Sequence, residues 1–233
     1  MHHRLFCCKR ANRKYVLLII YTACQALLGI DIQLFRIRNG REGEKEERIK
    51  QTMNAFEQIV AGLLRAEGYW TINGYRVNIT KQEKKDIGKH SMPRPEIDIL
   101  AYKGGQDQLL WVECKSYLDS PGVKYSSFSD PSDVGYSRYK VFNDEKYREI
   151  VGKALIGQVL DTKLTKPTPN LSYCLIAGKV YSENDRNKLS QLFQEKGWIF
   201  LDDIWLKEKL KSASLSQYED DIAMIVAKII QRM

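Results

Sequence analysis

Apolar residues recur at three- and four-residue intervals over residues 43–68, at Ile49, Met53, Phe56, Val60, Leu63 and Leu64, which predicts an amphipathic helix ended by Gly68. The period then shortens. Residues 70–80 are rich in aromatic and β-branched side chains and predict a strand interrupted at Asn73-Gly74, whereas the charged, proline-containing stretch 81–95 reads as a loop. Glu96-Ile97-Asp98-Ile99-Leu100 and Leu109-Leu110-Trp111-Val112-Glu113-Cys114-Lys115 then read as two strands joined by a hairpin turn at Lys103-Gly104-Gly105-Gln106. Residues 116–140 lack a regular pattern, with Pro121-Gly122, Asp130-Pro131 and Gly135 as breakers. A helix follows over 143–162, capped by Asn143 or Asp144 and turning Ile150, Val151, Ala154, Leu155 and Val159 inward. A strand over 171–177, a helix over 182–196, a strand over 198–201 and helices over 203–211 and 217–233 complete an α/β order without internal repeats.

Within this frame one hairpin gathers charge. Side chains alternate along a strand, so Glu113 and Lys115 share a face while Leu110, Val112 and Cys114 point to the other. Asp98, between Ile97 and Ile99, is expected to project opposite its apolar neighbours, so the three charged groups can converge. The competing reading is a solvated Glu–Lys pair on a one-sided sheet. Two carboxylates suit Mg²⁺, which prefers hard oxygen ligands and keeps several waters, with Mn²⁺ as a substitute. Asp98 and Glu113 are the candidate ligands and the Cys114 carbonyl a third oxygen. Lys115 is placed to orient or deprotonate a water or to stabilise developing negative charge. A bound cation nearby would depress its pKa and open the base role. Glu57 lies between Met53 and Val60 on the inward side of the first helix; a packed stem with a snorkelling head is its bland alternative. Gln158 extends the row of Val151, Ala154 and Leu155, and an inward amide requires a partner.

Composition narrows the picture. The chain has 233 residues and a formal charge of +8. Residues 1–52 hold 11 Lys and Arg against 5 Asp and Glu, the other 181 hold 26 against 24, so basicity belongs to the N-terminal segment and cannot argue for a nucleic-acid partner of the body. Five cysteines, at 7, 8, 24, 114 and 174, show no zinc-like spacing or disulfide framework, as in a protein of a reducing, cytoplasmic compartment. Residues 15–30 form a 16-residue apolar run behind Arg4, Lys9, Arg10, Arg13 and Lys14, shorter than the ~20 residues of a membrane-spanning helix. It admits a membrane anchor or an export signal. Residues 1–42 are expected to be an upstream extension outside the activity, with Met53 as an alternative start, and residues 43–233 the functional domain.

The motif Asp98, fourteen intervening residues, Glu113-Cys114-Lys115 resembles that of the PD-(D/E)xK nuclease superfamily. The order helix, hairpin carrying the acids and lysine, helix, strand over residues 44–178 resembles its restriction-endonuclease-like core. Glu57 in FEQIVAGLLRAEGYW and Gln158 in ALIGQVLD match places where such enzymes carry an accessory glutamate and a glutamine; Ile97 stands where many have proline. The resemblance implies a central mixed β-sheet flanked by helices, with extra C-terminal helices, and a Mg²⁺-dependent nuclease. DNA is its expected substrate, with RNA an alternative, in restriction, defence or repair. Catalysis would fall to Asp98, Glu113, Lys115, Glu57 and Gln158. Cutting both strands would call for a homodimer or two binding events. The C-terminal stripe of Ile222, Ile225, Val226 and Ile229 could make that dimer, though covering the sheet is the expectation. Two other functions compete: a noncatalytic nucleic-acid-binding or assembly module on the same fold, and a protein-binding domain tethered to a membrane through 15–30.

Overall fold

The side chain of Asn54 accepts a hydrogen bond from the Phe56 N–H at 3.0 Å, supplying the first turn of helix α1 (Ala55–Ala66) with an acceptor that no preceding turn provides. The computed structural model describes residues 54–215 and 222–232. Within them the first helix begins at Ala55 and ends as expected, with Gly68 just beyond it at φ +87°, while the start expected at 43 lies outside the described residues. Ile49, Met53, the apolar run over 15–30 and the boundary expected at 42/43 lie outside the described residues. Those described all fall within one unit, Lys50–Met233.

Five strands form one mixed sheet in the order β1 (Trp70–Arg76), β2 (Glu96–Lys103), β3 (Gln108–Lys115), β4 (Asn170–Ala177) and β5 (Ile199–Leu201). The first three are antiparallel neighbours; β4 and β5 run parallel to β3. Between β1 and β2, where the charge pattern predicts only loop, lies helix α2 (Lys81–Asp86). Its start is a capping box: Thr80 Oγ1 accepts from the Glu83 N–H at 3.2 Å, and Glu83 accepts from the Thr80 N–H at 2.7 Å. The hairpin turn is one residue longer than Lys103–Gln106, and its left-handed residue is Asp107 at φ +52°, steadied by a 2.6 Å hydrogen bond from the Tyr102 hydroxyl.

A parallel step needs a crossover. From β3 to β4 it runs through the short helices α3 (Ser126–Ser129) and α4 (Lys140–Asn143) into α5 (Glu145–Asp161), whose cap is Asp144. Helix α6 (Glu183–Glu195) crosses from β4 to β5, and α7 (Asp203–Ser214) and α8 (Ile222–Gln231) follow. On one face of the sheet, Val60, Leu63 and Leu64 of α1 and Leu206 of α7 pack on Ile99, Leu110, Val112, Cys174 and Ile176. On the other, Val151, Leu155 and Val159 of α5 and Leu189 and Phe193 of α6 pack on Leu100, Leu109, Trp111 and Leu175. Each fully buried aliphatic side chain contributes about 1.5–3 kcal/mol. Helix α8 rests on α1 and α7 rather than on the sheet. Its small Ala227 makes the buried contact and Ile225, Val226 and Ile229 are 40–56% exposed, so the expected sheet-covering stripe is corrected.

The strand alternation breaks where the chemistry was expected. Gly74 takes φ +62° in β1, so the ladder pairs Asn73 with Ile99 and Tyr75 with Ile97 but skips Gly74 and Asp98. On the other side β2 pairs with β3 only from Ile99–Val112 onward. Asp98 therefore sits at a gap in both ladders. Ile97 packs in the α5 layer and Ile99 in the α1 layer, so the two do not share a face as simple alternation predicts. Gly74→Ala would put an L side chain into left-handed backbone, at a cost of about 1 kcal/mol. Its thermal midpoint should fall by about 2–4 °C; an unchanged midpoint would mean that the glycine is not what permits the gap.

Candidate active site

Lys115 Nζ lies 2.5 Å from Glu113 Oε1, and the two side chains are only 19% and 18% exposed. Leu109 and Trp111, on the same face of β3, continue into the α5–α6 core. The pair is thus enclosed on a two-sided sheet, not solvated on a one-sided one. Freed from the ladders, Asp98 turns its side chain onto the next strand: Oδ2 accepts from the Cys114 N–H at 2.7 Å. The Gly178 N–H donates to the Lys115 carbonyl at 2.8 Å, so Lys115 presents its backbone to β4. Cys114, one residue earlier, presents its N–H and carbonyl toward β2, on the side where that ladder has ended. Its carbonyl therefore faces the Asp98 side, while its thiol is buried in the α1–α7 layer.

Glu57 approaches from the first turn of α1, half-buried. Burial raises its carboxyl to about 7; Asp98 adds to the rise, and the hydrogen bond with Asn54 opposes it. Burial also lifts Asp98, against the Cys114 N–H and Lys115, and it lifts Glu113, against Lys115. For Lys115 burial opposes the charge, but Glu113 outweighs it and holds the ammonium above its ordinary value. In this arrangement Lys115 therefore holds its proton and can donate hydrogen bonds.

Glu113 is thus paired with the Lys115 ammonium, which also acts on Asp98 and Glu57. Among the described residues no group of three or more His, Cys, Asp and Glu is gathered as a metal cage. Mg²⁺ needs no such cage: one or two carboxylates and its own waters suffice. Asp98 and Glu113 provide hard oxygens, and the surplus of negative charge would be relieved by a divalent cation, so these residues fit Mg²⁺ or Mn²⁺.

Gln158 is not brought to this cluster. Its Nε2 donates to the Tyr75 hydroxyl and the Arg76 carbonyl, each at 3.0 Å, and its Oε1 accepts from the Asn78 N–H at 2.9 Å. The glutamine pins the exit of β1 to α5, which satisfies the inward amide. Gln158→Ala should lower stability by about 1 kcal/mol through the lost acceptor at Asn78, seen as a shifted urea midpoint. The same variant should bind divalent cation as the parent does; a variant that folds normally but loses the cation would return Gln158 to the site.

Two tyrosines escape sequence reasoning. Lys115 Nζ lies 5.9 Å from the ring centre of Tyr139, and burial pushes the Tyr139 phenol far up, with the adjacent Tyr117 hydroxyl and Glu113 adding. Tyr147 on α5 is raised to about 12, by burial and then by Glu113. Tyr147 was legible as the residue one turn before Val151 on the inward stripe; Tyr139 stands among the aromatic and basic residues of 116–140, where the lack of a period gave no way to place it. The remaining aromatics of 116–140 mostly pin their own segment: Phe128 lies 4.3 Å from Tyr139 and 5.5 Å from Phe193, centre to centre. Asn143 Nδ2 ties the Ser127 and Tyr136 carbonyls together, both at 2.8 Å.

Among the described residues no helix is long and apolar enough to cross a membrane. No protein-family model, no curated protein and no solved structure matches this chain.

Proposed function

We propose that the chain is a Mg²⁺-dependent nuclease that hydrolyses phosphodiester bonds in DNA, built on a restriction-endonuclease-like core. The observation that carries this reading is the meeting of Asp98, Glu113 and Lys115 at the gap in the ladders, with Glu57 facing them from α1. The order α1, β1 to β3, α5, β4 supports the core. Asp98, Glu113 and the Cys114 carbonyl would hold the ion, with Glu57 as accessory ligand. When bound, Mg²⁺ supplies charge neutralisation at the phosphate and at the leaving oxygen. Lys115, protonated beside Glu113, donates hydrogen bonds to the phosphate as negative charge develops, and its position over Tyr139 restricts where the ammonium can go. The Cys114 N–H fixes one oxygen of Asp98, so its carboxylate is oriented before substrate arrives.

Purified protein incubated with supercoiled, linear and single-stranded DNA, in Mg²⁺ or Mn²⁺ and in EDTA, tests the proposal. Metal-dependent cutting supports it and reports the strand preference. Folded protein that cuts none of them with either ion would overturn it.

A further inference from the structure

A cavity of about 660 Å³ opens at the start of β2, and four of its lining residues are cations: Arg76, Lys89, Arg94 and Lys140. Its one acidic residue, Glu96, is engaged by Arg76 Nε at 3.1 Å. Lys89 and Lys140 line this cavity together, and the nearby Lys89, with burial, pulls the pKa of Lys140 below its ordinary value. Like charges held together without an anion are unfavourable, so the cavity is charged for an anionic occupant. Its size exceeds what a phosphate alone would need and suits a small organic ligand. Apolar surface for the rest of that ligand comes from Met92, Pro93 and Tyr147. The position is equally informative. Glu96 precedes Asp98 by two residues on β2, and the Tyr147 ring lies 6.3 Å from that of Trp111, which shares its face of β3 with Glu113.

We propose that this cavity binds one phosphate-bearing nucleotide unit of the DNA strand, next to the bond presented to Asp98 and Glu113; the proposal rests on the nuclease reading. Lys89, Arg94 and Lys140 take the phosphate, and Met92, Pro93 and Tyr147 take the sugar and base. The phosphate comes either from within the strand or from its end. A terminal monoester, with about −1.5 to −2 charges, answers the surplus of cations more fully than an internal diester.

Fluorescence anisotropy of the full chain with a single-stranded oligonucleotide tests this, in EDTA to prevent cutting and over a range of salt. The oligonucleotide carries a 5′-phosphate, a 3′-phosphate or neither. Lys89→Ala/Lys140→Ala should weaken binding about tenfold and lower the slope of log affinity against log salt by about 1.4, two phosphate contacts on a single strand. Lys89→Arg/Lys140→Arg should keep the slope. Dependence on one end group identifies the strand terminus as the source, and equal binding of all three oligonucleotides identifies an internal phosphate. An alanine pair that binds like the parent with the same slope, or a parent that binds none of the oligonucleotides, overturns the cavity. Plasmid cleavage by the parent in Mg²⁺ is measured beside it. Cleavage without a cavity effect removes only this proposal; a cavity effect without cleavage removes the nuclease reading and leaves a nucleotide-binding site.

Discussion

Lys115→Ala should cut DNA about a thousandfold more slowly than the parent chain under single-turnover conditions, a loss of about 4 kcal/mol of transition-state stabilisation. The size follows from the geometry. Among the described residues Lys115 is the ammonium paired with Glu113 beside Asp98 and Glu57, it is mostly enclosed, and Glu113 keeps it charged. In an enclosed site a fixed donor replaces solvent that would otherwise have to reorganise, which is why one such group is worth several powers of ten. Lys115→Arg separates the two roles a lysine can take. Guanidinium retains the charge and cannot give up its proton, so partial activity in this variant supports charge stabilisation, and activity as low as that of alanine supports a base. Removing the ammonium also leaves Glu113 without its partner at an enclosed position, so circular dichroism and the unfolding midpoint must accompany the rates. A folded Lys115→Ala protein that cuts at the parent rate would remove the lysine from the mechanism.

How much of this site was legible depended on whether a local rule or a tertiary one decided each residue. Alternation along β3 placed Glu113 with Lys115 and put Leu110, Val112 and Cys114 on the other face, because β3 is paired with β4 along its whole length. The same rule applied to β2 predicted that Asp98 projects opposite Ile97 and Ile99, and there it misplaced Ile97. It could not register that Gly74, on a different strand, opens the ladder across from Asp98. Convergence was nevertheless right, since the gap is what lets Asp98 reach the Cys114 N–H. The inward position of Gln158 was legible from helical period, but its destination was not. Whether an inward amide meets a carboxylate or the end of β1 depends on how α5 is tilted across the sheet, and no local pattern encodes that tilt. The capping box at Thr80 and Glu83 was readable and yet loses to composition, because α2 buries none of its side chains and shows no apolar period.

Metal-free protein should lose stability as the pH rises from about 4.5 to about 7, and Glu57→Gln should flatten that decline. The sign follows from linkage. Glu57 is raised in the folded chain to about 7 from its ordinary 4.5, first by burial and then by Asp98, so the folded state holds this proton more tightly than the unfolded state does. Its contribution is complete below the unfolded value and disappears as pH passes the folded one. Full conversion of the shift would give about 3.4 kcal/mol, but Glu57 is partly open to water, and screening reduces this to about 2 kcal/mol. Thermal unfolding in EDTA across that pH range reads it directly, and a parent chain whose midpoint does not fall there would contradict the placement of Glu57 against Asp98. Mg²⁺ should act in the opposite sense. Deprotonated carboxylates bind it and protonated ones do not, so the ion should raise the midpoint more at about pH 8 than at about pH 5. The instability of the empty cluster and its affinity for a cation then have one origin: carboxylates held together by α1, β2 and β3 with a single lysine to balance them.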